Sequence, residues 1–161
     1  MSRHKIRVSV NGKIYKSTVE SRTTLLDFLR TQLTLTGTHV GCEHGVCGAC
    51  SILYEGTPVR SCSLLAVQAN DKQITTVEGL CNADGSPGIL QDAFCEAHAM
   101  QCGYCTPGML VSAYALLAKN PTPSLAEIKD SIGGNLCRCT GYVQIIEAIQ
   151  LAAQRLQKNL Q

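Results

Sequence analysis

The stretch Gly41-Cys42-Glu43-His44-Gly45-Val46-Cys47-Gly48-Ala49-Cys50 sets three cysteines in a loop punctuated by glycine, and a fourth, Cys62, follows after eleven intervening residues. The pattern Cys-x4-Cys-x2-Cys…Cys is a spacing that supplies four thiolates to a [2Fe–2S] cluster. Glycines at 41, 45 and 48 let the backbone take positive φ and turn its N–H groups inward. Iron-bound thiolate sulfur is electron-rich and accepts such N–H bonds, which help to set the reduction potential.

The flanks of this loop read as a small β-rich unit. Ile6-Arg7-Val8-Ser9-Val10 alternates with period two and ends at Asn11-Gly12, a strong hairpin signal, so Lys13 to Val19 is expected to return. Thr23 or Thr24 caps an expected helix carrying Leu25, Leu26, Phe28, Leu29 and Leu33, and Thr36-Gly37 breaks it. After the loop, Ser51 to Tyr54 alternates again. Glu55-Gly56 turns, Val59 to Cys62 returns, and Ile74 to Val77 completes the unit. Strands, one helix and a cysteine loop resemble a β-grasp ferredoxin of the plant type.

Composition then changes. Asn82-Ala83-Asp84-Gly85-Ser86-Pro87-Gly88 is turn-rich, and strand patterning stops beyond it. The expected division is a β-grasp unit over 1–79 and a helical unit over 80–161, an α+β protein. Short helices are predicted over Leu90–His98 and, from the capping box Ser124-x-x-Glu127, to about Ile132. Longer ones are predicted over Pro107–Lys119 and Val143–Leu156. Two short and two long helices make a four-helix unit.

The helical half has its own thiols: Cys102-Gly103-Tyr104-Cys105 and Cys137-Arg138-Cys139. Each pair stands just before a long helix, with Thr and Gly at its start, a weak internal repeat. A helix N-terminus offers free N–H groups and a positive dipole end, which suits an anionic all-thiolate cluster. Arg138 is either a further positive charge there or a surface residue. Four thiolates in two pairs also suit structural zinc. On these residues alone the two metals stay open, and the first loop weighs toward iron–sulfur.

The remaining composition sets bounds. A net charge of +2 with 16% charged residues gives no clustered basic face for nucleic acid. No apolar run is long enough for a membrane span, and the start of the chain lacks a secretory leader. The cytoplasm, where thiols stay reduced, is the expected compartment, so the ten cysteines are not expected to form a disulfide framework. Glu43, Glu55, Asp84 and Glu96 sit in loop or surface contexts and form no acid–base pair.

The three cysteine motifs, Gly41 to Cys50, Gln101 to Met109 and Gly134 to Tyr142, come in the order and spacing of one family. They resemble the small iron–sulfur subunit of the xanthine oxidase family of molybdenum hydroxylases, in its bacterial three-subunit form, over nearly the whole chain. The resemblance implies one [2Fe–2S] cluster on Cys42, Cys47, Cys50 and Cys62 and a second on Cys102, Cys105, Cys137 and Cys139. It implies that Gln101 and Cys139 contact a molybdopterin held by a large subunit, and that FAD sits in a medium subunit. A dimer of heterotrimers is the expected assembly. Electrons would pass from the molybdenum centre by way of the pterin, the helical-domain site and the β-domain site to FAD. The chain itself would carry no catalytic residue.

Two positions depart from the family pattern. His39 stands where many relatives have Lys, and His44 lies inside the loop, either as an exposed loop residue or as a group that tunes the cluster with pH. Cys81 and Cys95 are left over and are expected to be buried or incidental thiols. The rival functional reading is a free-standing two-cluster ferredoxin, with a zinc-binding interaction module as a third.

Overall fold

The computed structural model describes residues 2–159. Its first half is a five-stranded sheet of β1 (Arg3–Val10), β2 (Lys13–Glu20), β3 (Ser51–Tyr54), β4 (Thr57–Arg60) and β5 (Gln73–Thr75), in the order β2-β1-β5-β3-β4. Asn11 and Gly12 both take positive φ, 51° and 78°, as the tight hairpin between β1 and β2 requires. Glu55 and Gly56 repeat that turn between β3 and β4. β1 runs parallel to β5, so the chain must cross over between them, and that crossover carries the cysteine loop.

Alternation along β1 buries Ile6, Val8 and Val10 against Leu25, Phe28, Leu29 and Ile74. The expected helix from Thr24 is present in altered form. Thr24 caps α1 (Leu25–Asp27), and Phe28–Gln32 continues as a wider π turn. The Thr31 hydroxyl takes the Asp27 carbonyl at 2.6 Å, so it competes with the amide that would hold a tighter turn. The return strand after Gly56 ends at Arg60, and Cys62 lies in a 3-10 turn over Ser61–Ser63. The last strand stops at Thr75, because Thr76 binds the Asn11 side chain through both its amide and its hydroxyl, and Val77–Leu80 turns away.

The second half holds four helices: α2 (Ile89–Glu96), α3 (Thr106–Lys119), α4 (Leu125–Ile132) and α5 (Val143–Asn159). The capping box at α4 is formed as the sequence predicts. Ser124 accepts the Glu127 amide, and Glu127 reaches back to the Ser124 amide. Phe94, Met109, Val111, Ile128, Ile145 and Ile149 fill the centre of the bundle.

β3 joins the two halves. Ile52 faces the sheet core, whereas Leu53 faces the helical core. Successive residues of a strand point to opposite faces, and both faces here are covered. That explains why Ser51, Ile52 and Leu53 are all buried. The β-sheet unit followed by a helical bundle is the α+β architecture expected from the sequence.

Candidate [2Fe–2S] sites

Local structure brings the first four cysteines together. Cys42 and Cys47 lie in one loop, and Cys50 stands immediately before β3. The antiparallel register pairs Ser51 with Arg60, so the residues just beyond Arg60 come back beside Cys50. Ser61 donates both its amide (3.3 Å) and its hydroxyl (2.8 Å) to the Cys50 carbonyl. The eleven residues between Cys50 and Cys62 are therefore the length of a hairpin and its 3-10 turn.

Amides of His44, Val46 and Cys47 all point at the Cys42 sulfur, each at 3.4 Å. They favour the thiolate: the Cys47 amide, then those of His44 and Val46, bring the Cys42 pKa down to about 6. The loop can wrap this way because Glu43 and Gly45 take positive φ. Cys50 is the contrasting case, since burial raises its pKa. The His44 ring reaches only the Cys42 carbonyl and is exposed.

Cys105 forms the N-cap of α3, and Gly103, at φ 79°, turns the chain back toward Cys102. The Cys102 and Cys139 sulfurs are 3.5 Å apart. The Tyr104 amide, foremost, lowers the Cys102 pKa, while the Cys102 thiol raises that of Cys139. Burial raises Cys105 to about 12. Burial also presses Cys137 upward, but the Thr140 hydroxyl at 3.1 Å and the Thr140 amide more than offset it. Gln101, Cys102, Arg138 and Cys139 are all exposed.

Cys47 acts on Cys42 and Cys62 on Cys50, whereas Cys102, Cys105, Cys137 and Cys139 act on one another, with the Cys102 and Cys139 sulfurs in contact. Two sets of four thiols suit two irons with two terminal thiolates each, so the donor sets fit [2Fe–2S] groups. All ten cysteines are free thiols. Cys81 and Cys95 are exposed, which removes the buried alternative and leaves the incidental one.

Several hydrogen bonds at this site are ones that motif spacing does not report. The Leu136 amide donates to the Cys47 carbonyl at 2.8 Å, linking the two cysteine loops directly. His39 Nδ1 donates to the Tyr104 carbonyl at 2.9 Å, and the Tyr104 hydroxyl donates to the Val40 carbonyl. Arg60 donates to Ser51 Oγ (2.6 Å) and to the Gly134 carbonyl (2.5 Å).

Two successive cysteine-bearing units define the class as a double [2Fe–2S] protein. Residues 8–83 match the family of the 2Fe-2S iron-sulfur cluster binding domain, and residues 76–150 match that of the [2Fe-2S] binding domain. The chain is 57% identical over 153 residues to the caffeine dehydrogenase subunit gamma of Pseudomonas sp. (strain CBB1), covering 93% of this chain and 91% of that one. It is 52% identical over 147 residues to the nicotine 6-hydroxylase small subunit of Paenarthrobacter nicotinovorans, covering 91% and 88%. The crystal structure of quinoline 2-oxidoreductase from Pseudomonas putida 86 contains a chain that superposes with a TM-score of 0.92 at 49% identity, covering 97% of each. The chain thus belongs to the small iron–sulfur subunits of the xanthine oxidase family of molybdenum hydroxylases, the electron-relaying components of these oxidoreductases.

Proposed function

We propose that this chain is the electron-transfer subunit of a molybdenum-dependent hydroxylase. It holds one [2Fe–2S] cluster on Cys42, Cys47, Cys50 and Cys62 and another on Cys102, Cys105, Cys137 and Cys139. The cysteine geometry supports this reading most directly: three amides aim at the Cys42 sulfur, and the Cys102 and Cys139 sulfurs lie 3.5 Å apart. Each cluster, when bound, supplies reversible one-electron transfer. The protein's own residues do the rest. Amides at 44, 46 and 47 hold the Cys42 sulfur as a thiolate, and Thr140 does the same for Cys137. The start of α3 sets its dipole behind Cys105.

The division of labour follows two domains, 1–79 and 80–161. Exposed Gln101 and Cys139 face a molybdopterin in a large partner subunit, and the β-domain site serves FAD in a medium subunit. The assembly is a dimer of heterotrimers in the cytoplasm. No helix among the described residues is long and apolar enough to cross a membrane. The relatives named above carry the names of caffeine, nicotine and quinoline. We assign the complex to hydroxylation of a nitrogen heterocycle of that kind, at a pocket outside this chain.

Iron and acid-labile sulfide analysis of anaerobically purified protein, with its visible spectrum, tests the core of this reading. The expected result is about four irons and four sulfides per chain. Stoichiometric zinc without sulfide overturns it. Recovery as a lone chain of 17.2 kDa with full iron, after native purification from its source, overturns the subunit assignment and leaves a free ferredoxin.

A further inference from the structure

Between the two cysteine-bearing units lies a buried polar joint, built in part from motif residues that are not cysteines. Its centre is Asn135, only 1% exposed. The Asn135 Nδ2 donates to the Gly48 carbonyl at 3.1 Å and to Ser51 Oγ at 3.4 Å. Its Oδ1 accepts the Ser112 hydroxyl at 2.9 Å, a bond that fixes which end of the amide faces which unit. Ser51 passes the network on, donating to the Gly48 carbonyl at 2.6 Å and accepting Arg60 at 2.6 Å. One side chain of the helical unit is thus tied to the loop between Cys47 and Cys50 and to the middle of α3.

The same joint is closed by two missing side chains. Gly48 lies where a Cβ would stand 2.5 Å from the Gly134 carbonyl and 2.8 Å from Asn135 Nδ2. At Gly108 a Cβ would run into the Gly48 carbonyl and come 2.7 Å from Asn135 Nδ2. Backbone meets backbone here, and the Asn135 amide fills the remaining polar gap. A buried network in which every member is satisfied holds a single arrangement, whereas one left partly unpaired is costly.

We infer that Asn135, seated between Gly48 and Gly108, is a positioning residue that fixes the separation of the two iron–sulfur sites. The inference rests on the proposed assignment of both clusters. Electron tunnelling falls exponentially with distance, so a device that holds the Cys47–Cys50 loop against the Leu136–Cys139 loop sets how fast an electron crosses the chain. The joint touches both loops and contains no cysteine, so ligation and spacing are separable.

The test uses the holoprotein with both sites reduced, and reads the magnetic interaction between them by low-temperature electron paramagnetic resonance. Iron and sulfide content is measured on the same samples. Asn135→Leu removes both donor bonds at similar volume, and Gly108→Ala forces a Cβ into the joint. The expected result is full iron in each variant with a narrowed or lost interaction splitting and slower internal electron transfer. Full iron with a wild-type splitting in both variants overturns the inference. If either variant loses iron, Ser112→Ala decides: it removes one bond to Asn135 and touches neither cysteine loop. Narrowed splitting at full iron in Ser112→Ala supports positioning, and unchanged splitting or loss of iron there assigns Asn135 to general folding instead. Absence of two clusters from the wild-type protein is a separate outcome, one that sinks the functional assignment itself.

Discussion

Cys42 and Cys105 are the same residue type held in opposite ways. Three amides aim at the first sulfur, while burial dominates the second. The cysteine spacings single out eight candidate thiols, because ligand spacing follows loop and hairpin lengths that sequence records directly. The partner of each thiol was not legible, since it depends on which strand register and which turn bring Cys62 to Cys50 and Cys139 to Cys102. Serine substitutions separate the two sites. With substrate as reductant, Cys139→Ser is expected to slow reduction of every downstream centre. Cys47→Ser is expected to leave the helical-domain signal reducible while FAD stays oxidised. Equal behaviour of the two variants in rapid-reduction kinetics, with both sites assembled, would contradict the order of the sites. Gly45 makes a sharper point about the loop. It has φ 77°, and a Cβ there would stand 2.6 Å from Ser63 Oγ. Gly45→Ala is expected to lose iron from the β-domain site alone, read as half the iron content with the helical-domain spectrum intact.

Element boundaries were legible where a side chain caps or turns the backbone. Asn11-Gly12 and Ser124-x-x-Glu127 were read correctly from the residue types their geometry demands. The segment after Thr24 was read as a regular helix because periodicity reports which residues face the core. Periodicity does not report that the Thr31 hydroxyl takes the Asp27 carbonyl and widens the turn. The α4 cap gives two tests. Ser124→Ala is expected to cost about 1 kcal/mol of stability, the usual worth of an N-cap side chain, measured as a lowered thermal midpoint of the holoprotein. Glu127 is held below the usual carboxylate range, chiefly by the Ser124 amide, then by the Ser124 hydroxyl, Asn120 and Lys119. Its folded pKa is therefore depressed. The stability it supplies is complete above the ordinary glutamate pKa and is lost as pH falls through the lower folded value. The difference in thermal midpoint between wild type and Glu127→Gln should be full at neutral pH and should shrink in acid. A difference that grows in acid contradicts the assignment.

At the scale of the whole molecule, the sequence marked two units, and the structure shows how closely they are joined. β3 belongs to both cores, and the two cysteine loops exchange hydrogen bonds through Cys47, Gly48, Leu136 and Asn135. These residues all lie inside the three cysteine motifs, but their contact across the two units is not legible, because a motif records spacing along the chain and not which loops meet. The surface carries a further consequence. Val46 is 64% exposed and Leu136 is 56% exposed, each directly beside a cysteine. Met100 and Tyr104 flank Cys102 and are also exposed. These exposed apolar side chains beside cysteines are the expected docking surface for the partner subunits. Leu136→Glu is the direct test, because the side chain is exposed while its amide, which bonds Cys47, is retained. The variant is expected to load both clusters with unchanged spectra. Co-expressed with its partner subunits, it is expected to elute at the size of the free 17.2 kDa chain while wild type elutes with them. Co-elution at wild-type strength would place the partner surface elsewhere on the chain. Loss of iron would show that Leu136 supports the site itself, so that its exposure says nothing about assembly.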